Sequence, residues 1–186
     1  VDDPDGTRVY EQTLLDIHTK YKHLTSSISA MRLPPTDQLL DTLLSASHIC
    51  LQLSTREGFE VKVSEALHKG IPVIATSCGG IPLQVQHGKN GFLVDAGDSM
   101  AVASHLLTLW TNGKIYKDMS DYAKHSVSDE VGTVGNALSW FYLADVWSGR
   151  EGKGIVPKEQ WVNDLARDAA GIPYGKMENR LPRNFA

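Results

Sequence analysis

The amino-acid sequence predicts an α/β fold in which a parallel sheet is flanked by helices. Short apolar runs of strand length, at His48 to Leu53, Ile71 to Thr76 and Gly91 to Val94, alternate with longer stretches whose apolar residues recur every three or four positions. The middle run is apolar enough to be covered on both faces, as strands of a parallel sheet are. A chain of 186 residues that is 41% hydrophobic buries one substantial core, so one domain with an appendage is expected.

Taken in order, Val9, Thr13 and Ile17, with Tyr10 and Leu14, predict a first helix capped by Asp5 and running to about Tyr21. Ile28 to Leu33 reads as a short strand stopped by Pro34-Pro35, and Thr36 or Asp37 caps a helix carrying Leu39, Leu40, Leu43 and Leu44. The strand His48 to Leu53 leads through a polar loop to a helix from about Phe59 to Lys69, which Gly70 ends. Ile71 to Thr76 is the next strand, and Gly91 to Val94 follows after a loop of Gly, Pro and Asn. Asp98 caps a helix through Leu106, Leu107 and Leu109 to Gly113, and another crosses Ile115, Met119, Tyr122 and Ala123. From Val134 to Trp147 a third helix is apolar nearly all round, which predicts a core helix or, alternatively, a bridge to a neighbouring domain. Beyond Gly149 a Gly/Lys linker, a short helix from about Pro157 to Ala170 and a tail with Pro, Asn and Arg are expected.

Composition narrows the function. Asp and Glu total 22 against 18 Lys and Arg, a net charge of -4, so no nucleic-acid partner is expected. Cys50 and Cys78 have no metal-ligand or disulfide spacing and read as reduced, inert thiols; no metal or cofactor is expected. His68, His87 and His105 have no spacing that suggests a metal or a general base, and read as surface or core residues. The absence of a signal-peptide pattern, a membrane-length apolar run or a glycosylation sequon leads to the expectation of a cytoplasmic protein without a membrane partner.

The chemistry concentrates between Ser54 and Gly80. In Arg56-Glu57-Gly58-Phe59-Glu60-Val61-Lys62-Val63-Ser64-Glu65-Ala66-Leu67 a strand end passes through Gly58 into a helix. Ligands of open parallel sheets sit beyond the carboxyl ends of the strands, and a helix starting there aims backbone N–H groups and a positive dipole end at an anion such as phosphate. Gly58 lets the backbone approach a sugar or phosphate closely. Glu57 at the mouth can accept hydrogen bonds from two sugar hydroxyls and stabilise positive charge on a glycosyl carbon as its leaving group departs. Eight residues of helix would separate Glu57 from Glu65 by about 12 Å, which favours two grips on a long donor over two acids flanking one water. The bland alternative is that both are solvated helix-face charges. Gly79-Gly80 follows a strand where a tight turn is needed in any case, so a structural role and a donor-approach role both stand.

Glu57-Gly58-Phe59, Glu65-Ala66-Leu67, Lys69-Gly70-Ile71-Pro72-Val73-Ile74-Ala75-Thr76, Gly79-Gly80-Ile81 and Asn90-Gly91-Phe92-Leu93-Val94, in that order, resemble the donor-site stretch of the family-four retaining glycosyltransferases of GT-B fold. The resemblance spans roughly Leu39 to Asp98. The Arg56-Glu57-Gly58-Phe59 and Val73-Ile74 wording, the Val1-Asp2-Asp3-Pro4-Asp5-Gly6 opening and the tail around Gly171-Ile172-Pro173-Tyr174 and Leu181-Pro182-Arg183-Asn184 look most like the branch of trehalose synthases and fungal retaining trehalose phosphorylases.

The resemblance implies a Rossmann-like, partial C-terminal donor-binding domain over residues 1–130, with C-terminal helices and tail over 131–186 that pack on it or on an N-terminal domain outside this sequence. It implies that Glu57 contacts the donor glucose and supports its developing charge. Gly58 and Phe59 would offer backbone amides to that sugar or its phosphate, and Glu65 would hold the ribose of a nucleotide donor. Gly79 and Gly80 would let the backbone approach the donor. Glu60 stands where the family often has glycine; an acid there would narrow the site or repel a diphosphate unless Lys62 neutralises it. The implied reaction is retaining glucosyl transfer without a metal: trehalose and phosphate to glucose 1-phosphate and glucose, or transfer from nucleotide-glucose to glucose. A homodimer is admitted. Family members also use an upstream Arg and Lys and an N-terminal acceptor domain, so the 186-residue chain by itself is expected to be inactive. The competing class is a non-catalytic sugar- or phosphate-binding regulatory protein that kept the fold. A nicotinamide-dependent dehydrogenase is disfavoured, since no G-x-G-x-x-G follows a strand.

Overall fold

The computed structural model describes residues 4–148 and 160–181. Val1-Asp2-Asp3, the expected Gly/Lys linker, the start of the helix expected from Pro157 and the Pro182-Arg183-Asn184 end of the tail lie outside the described residues. The chain divides into two compact units, Val1–Leu43 and Leu44–Ala186.

In the first unit, helix α1 spans Pro4–Thr19. Asp5 lies inside its first turn, where its carboxylate pairs with Arg8 at 3.3 Å, so it is not the cap that the sequence suggested. Arg32 Nη1 donates to Thr7 Oγ1 at 2.8 Å. Ile28 to Leu33 is not a strand. The run is short and β-compatible, but no described strand pairs with it, and Ile28, Met31 and Leu33 are 39%, 61% and 39% exposed. Without a neighbour to accept its backbone hydrogen bonds, local propensity does not make a strand. Helix α2, Asp37–Ala46, follows, its first turn closed by the Thr36 carbonyl, which accepts from Leu39 N at 3.1 Å.

The second unit holds a three-stranded parallel sheet of order β1-β2-β3, formed by Cys50–Gln52, Val73–Thr76 and Gly91–Val94. Cys50 pairs with Val73, and Val73 with Gly91. The alternation of side chains along β2 serves both faces. Val73 and Ala75 pack with Val63, Ala66 and Leu67 of helix α3 (Val61–His68), whereas Ile74 packs on the other face with Val94, Leu109 and Met119. Each fully buried Val, Leu or Ile contributes about 1.5–3 kcal/mol, which makes β2 and α3 the centre of the core. A short helix α4, Ile81–Gln84, which the sequence reading missed, leads from β2 towards β3.

Helix α5, Ser99–Thr111, starts as expected, with the Asp98 carboxylate accepting from Ala101 N at 2.9 Å, and α6 spans Gly113–Ala123. Helix α7, Thr133–Ser148, is not the core helix expected: Val134, Trp140, Phe141 and Trp147 are 64–80% exposed. Its N-terminal end packs through Gly135, where a Cβ would lie 2.2 Å from the Asp129 carbonyl oxygen. Helix α8, Val162–Ala169, and the segment after it are tied to the 3₁₀ turn Asp129–Val131. Arg167 pairs with Asp129 and Glu178, each at 2.9 Å, and stacks 3.9 Å over the Tyr174 ring, whose hydroxyl donates to Asp129 at 2.8 Å. Among the described residues no helix is long and apolar enough to cross a membrane.

Candidate active site

Beyond the carboxyl end of β1, residues 53–60 form a loop that enters α3. It is held from beneath by the strand it leaves and from the side by the turn after β2. Gln52 Nε2 donates to Glu57 Oε1 at 3.2 Å and to Ser54 Oγ at 2.9 Å, so the last residue of β1 orients the half-buried Glu57 carboxylate. The Ser54 carbonyl accepts from Thr76 Oγ1 and from Cys78 Sγ, the latter at 3.3 Å. Gly80 N donates to the Gly58 carbonyl at 2.6 Å, a main-chain bond between the two glycine-bearing turns.

Gly79 and Gly80 make that contact sterically feasible. Gly79 has φ +54, and a Cβ on it would lie 2.2 Å from the Glu57 carbonyl oxygen and 2.5 Å from that of Gly58. On Gly80 a Cβ would meet the Phe59 ring at 2.8 Å. Both glycines therefore have the structural role: they let one turn lie directly against the other. Gly58 is exposed and would find nothing within 4 Å of an added Cβ, which leaves its outer side open for close approach by a ligand.

The left-handed backbone of the loop falls on Glu60, with φ 59 and ψ 76, as the N-cap residue of α3. A glycine would adopt this conformation without the cost of roughly 1–2 kcal/mol that a Cβ brings. The Glu60 side chain is only 12% exposed and pairs with Lys62 Nζ at 3.3 Å, so its charge is balanced locally. Burial, and then the nearby Glu60 charge, push the Cys50 thiol up from its ordinary range. Glu65 is exposed on α3. Because residues 57–60 lie in the loop and α3 begins at Val61, the helical rise does not set the separation of Glu57 from Glu65.

A buried side chain that sequence reasoning did not single out closes the arrangement. Gln84, 5% exposed at the end of α4, donates through Nε2 to the Phe59 carbonyl and, at 3.3 Å, to that of Gly80; its Oε1 accepts from Ser64 Oγ at 2.6 Å. Its own carbonyl accepts from Asn90 Nδ2 at 3.0 Å, and Asn90 Nδ2 also donates to Ser126 Oγ at 2.8 Å. Next to the loop, a cavity of about 200 Å³ opens at the carboxyl ends of all three strands, lined by Leu53, Thr76, Val94, Asp98 and Val102 among others. The histidines lie apart from this loop's polar contacts: His87 Nδ1 accepts from Leu93 N, and His105 stacks on Phe92 with ring centres 4.0 Å apart. Burial, then repulsion from His87, lower the His105 pKa. Among the described residues no group of three or more His, Cys, Asp or Glu is placed to hold a metal ion.

The chain is similar to known proteins. The trehalose phosphorylase of Grifola frondosa is 56% identical over 183 residues, 98% of this chain and 25% of that protein. The trehalose synthase of Pyrococcus horikoshii is 37% identical over 129 residues, 68% of this chain and 29% of that protein. The chain thus spans about a quarter of the length of the curated relatives it matches. In structure, the C-terminal domain of a glycosyl transferase group 1 family protein (LpcC) from Francisella tularensis matches with a TM-score of 0.57 at 23% identity, over 66% of this chain and 62% of that one. That likeness shows the fold, and the expected Rossmann-like GT-B C-terminal architecture agrees with it. The family model for glycosyl transferases group 1 matches residues 22–126, more than half of the chain, and the protein belongs to that family.

Proposed function

We propose that the protein to which this chain belongs is a retaining glucosyltransferase that acts on trehalose, in the phosphorolytic sense, and that this chain carries its donor site. The observation that carries the reading is the 56% identity to a trehalose phosphorylase over 98% of the chain, against 37% over 68% for a trehalose synthase. In the reaction, a phosphate oxygen bonds to the anomeric carbon of one glucose from the face on which the other glucose departs. The glycosidic C–O bond breaks, and the departing oxygen takes a proton from the phosphate. Glu57, held by Gln52, supports the positive charge that builds on the sugar ring. Gly58 and Phe59 present main chain to the sugar or phosphate, with Gly79 and Gly80 supporting that loop from behind. Glu60, balanced by Lys62, borders the anion position, and Glu65 would reach the ribose if the donor is a nucleotide sugar. Residues 1–130 act in this reading as part of the donor domain, and 131–186 as its C-terminal helices and tail. The enzyme is cytoplasmic, and a homodimer is the assembly that sedimentation of the full-length protein would test.

The test is to incubate the full-length enzyme with trehalose and phosphate, and separately with glucose and nucleotide-glucose donors. Glucose 1-phosphate from the first mixture alone is the expected result. Disaccharide from the second alone would replace the phosphorylase by a nucleotide-sugar-dependent synthase, and product from neither would favour a regulatory binding protein.

A further inference from the structure

The geometry points to Gln84 as a positioning residue that fixes the direction of one of two backbone N–H groups at the donor loop, that of Glu60. A trans peptide is planar and its C=O and N–H point in opposite directions. The Gly58 carbonyl is tied to Gly80 N, so the N–H of Phe59 faces away from the Gly79-Gly80 turn. The Phe59 carbonyl is tied to Gln84 Nε2, so the N–H of Glu60 faces away from α4. Among the described residues no hydrogen bond satisfies either amide. Both donors lie at the entrance to α3 and face away from the segment that holds the two carbonyls, where an anion can accept from them.

The first amide is set by a main-chain bond, but the second depends on one side chain. Glu60 is in the left-handed region, where the preceding peptide can rotate to exchange the directions of its C=O and N–H. Gln84 opposes that rotation because its amide end is itself fixed: Oε1 accepts from Ser64 in the first turn of α3, and the backbone carbonyl is held by Asn90. Ser64, Gln84 and Asn90 are all at most 5% exposed, so solvent does not compete for these bonds. Leucine at this position would leave the half-buried Phe59 carbonyl without its partner, with rotation toward solvent as its relief. That the two amides serve a phosphate or sugar oxygen of the donor rests on the function proposed above; that Gln84 sets the peptide does not.

The experiment uses the full-length enzyme and the Gln84→Leu and Gln84→Glu variants. For Gln84→Leu, loss of one aligned donor lowers kcat about 100-fold while the trehalose KM stays within about threefold. Gln84→Glu separates positioning from general damage. Ionised, its carboxylate repels the Phe59 carbonyl; protonated, its hydroxyl donates to it, so kcat relative to wild type recovers as pH falls from about 8 to about 5, helped by the raised pKa of a buried carboxyl. A kcat within twofold of wild type in both variants, or a Gln84→Glu deficit that does not change with pH, overturns the assignment. A crystal structure of Gln84→Leu is the readout independent of activity: a rotated Phe59–Glu60 peptide supports the role, and an unchanged one overturns it. If Gln84→Leu does not fold, the Gln84→Glu pH profile decides. If wild type itself yields no product, the proposed function fails, and the peptide orientation in crystals of the variant still decides the role of Gln84.

Discussion

Gly79→Ala tests how the donor loop is held. The added methyl group would stand 2.2 Å from the Glu57 carbonyl oxygen and 2.5 Å from that of Gly58, where normal contact begins above about 3 Å, so the loop must retreat by roughly 1 Å. The φ of +54 adds about 1–2 kcal/mol for an alanine, and the overpacking about 1–3 kcal/mol. At about 2–4 °C per kcal/mol for a unit of this size, the Tm of the transition that melts this part of the enzyme falls by at least several degrees. A 1 Å displacement of Glu57 lowers turnover by about 100-fold. Thermal unfolding followed by circular dichroism and steady-state trehalose phosphorolysis, both on the full-length enzyme, give the two readouts. Gly58→Ala is the control: with nothing within 4 Å of its added Cβ, it leaves Tm unchanged within about 1 °C and lowers turnover only by obstructing the ligand. A Gly79→Ala enzyme with wild-type Tm and turnover would refute the claim that the two turns support each other.

Glu60→Gly removes left-handed strain of about 1 kcal/mol and loses only a weak, partly exposed pair with Lys62, so Tm rises by about 2–4 °C; a fall would show that the side chain is structurally needed. Because burial and the Glu60 charge both raise the Cys50 pKa, its alkylation by iodoacetamide at about pH 8 is slower in the folded protein than in the unfolded chain, and Glu60→Gln speeds it. Equal rates in all three would contradict this. Arg167→Met leaves Asp129 and Glu178 without their shared cation, weakens the segment 160–181 by about 1–2 kcal/mol and opens it to limited proteolysis before the sheet unfolds; unchanged cleavage would show that the cluster does not hold the segment.

What was legible in the sequence depended on how local its cause is. The strand Gly91–Val94 and the Asp98 cap follow from residues within a few positions, and both are where pattern and chemistry placed them. Ile28 to Leu33 failed because a strand is a property of a pair. The exposed ring row of α7 failed because apolar composition specifies burial without saying against what. At the site, the Ser54 to Gly80 run was legible from its motif, yet the left-handed Glu60 was sensed only as a departure from glycine. Gln84 was invisible because its partners Phe59 and Ser64 lie 25 and 20 residues away in sequence, across a strand crossover.

The most direct measurement is the turnover of Glu57→Gln in the full-length enzyme with trehalose and phosphate. The neutral side chain keeps its size and a hydrogen-bonding oxygen for Gln52 but loses the charge that stabilises the glycosyl carbon. The expected result is a kcat lower by at least about 100-fold, with unchanged Tm. Turnover within a fewfold of wild type would contradict the claim that this loop carries the catalytic charge.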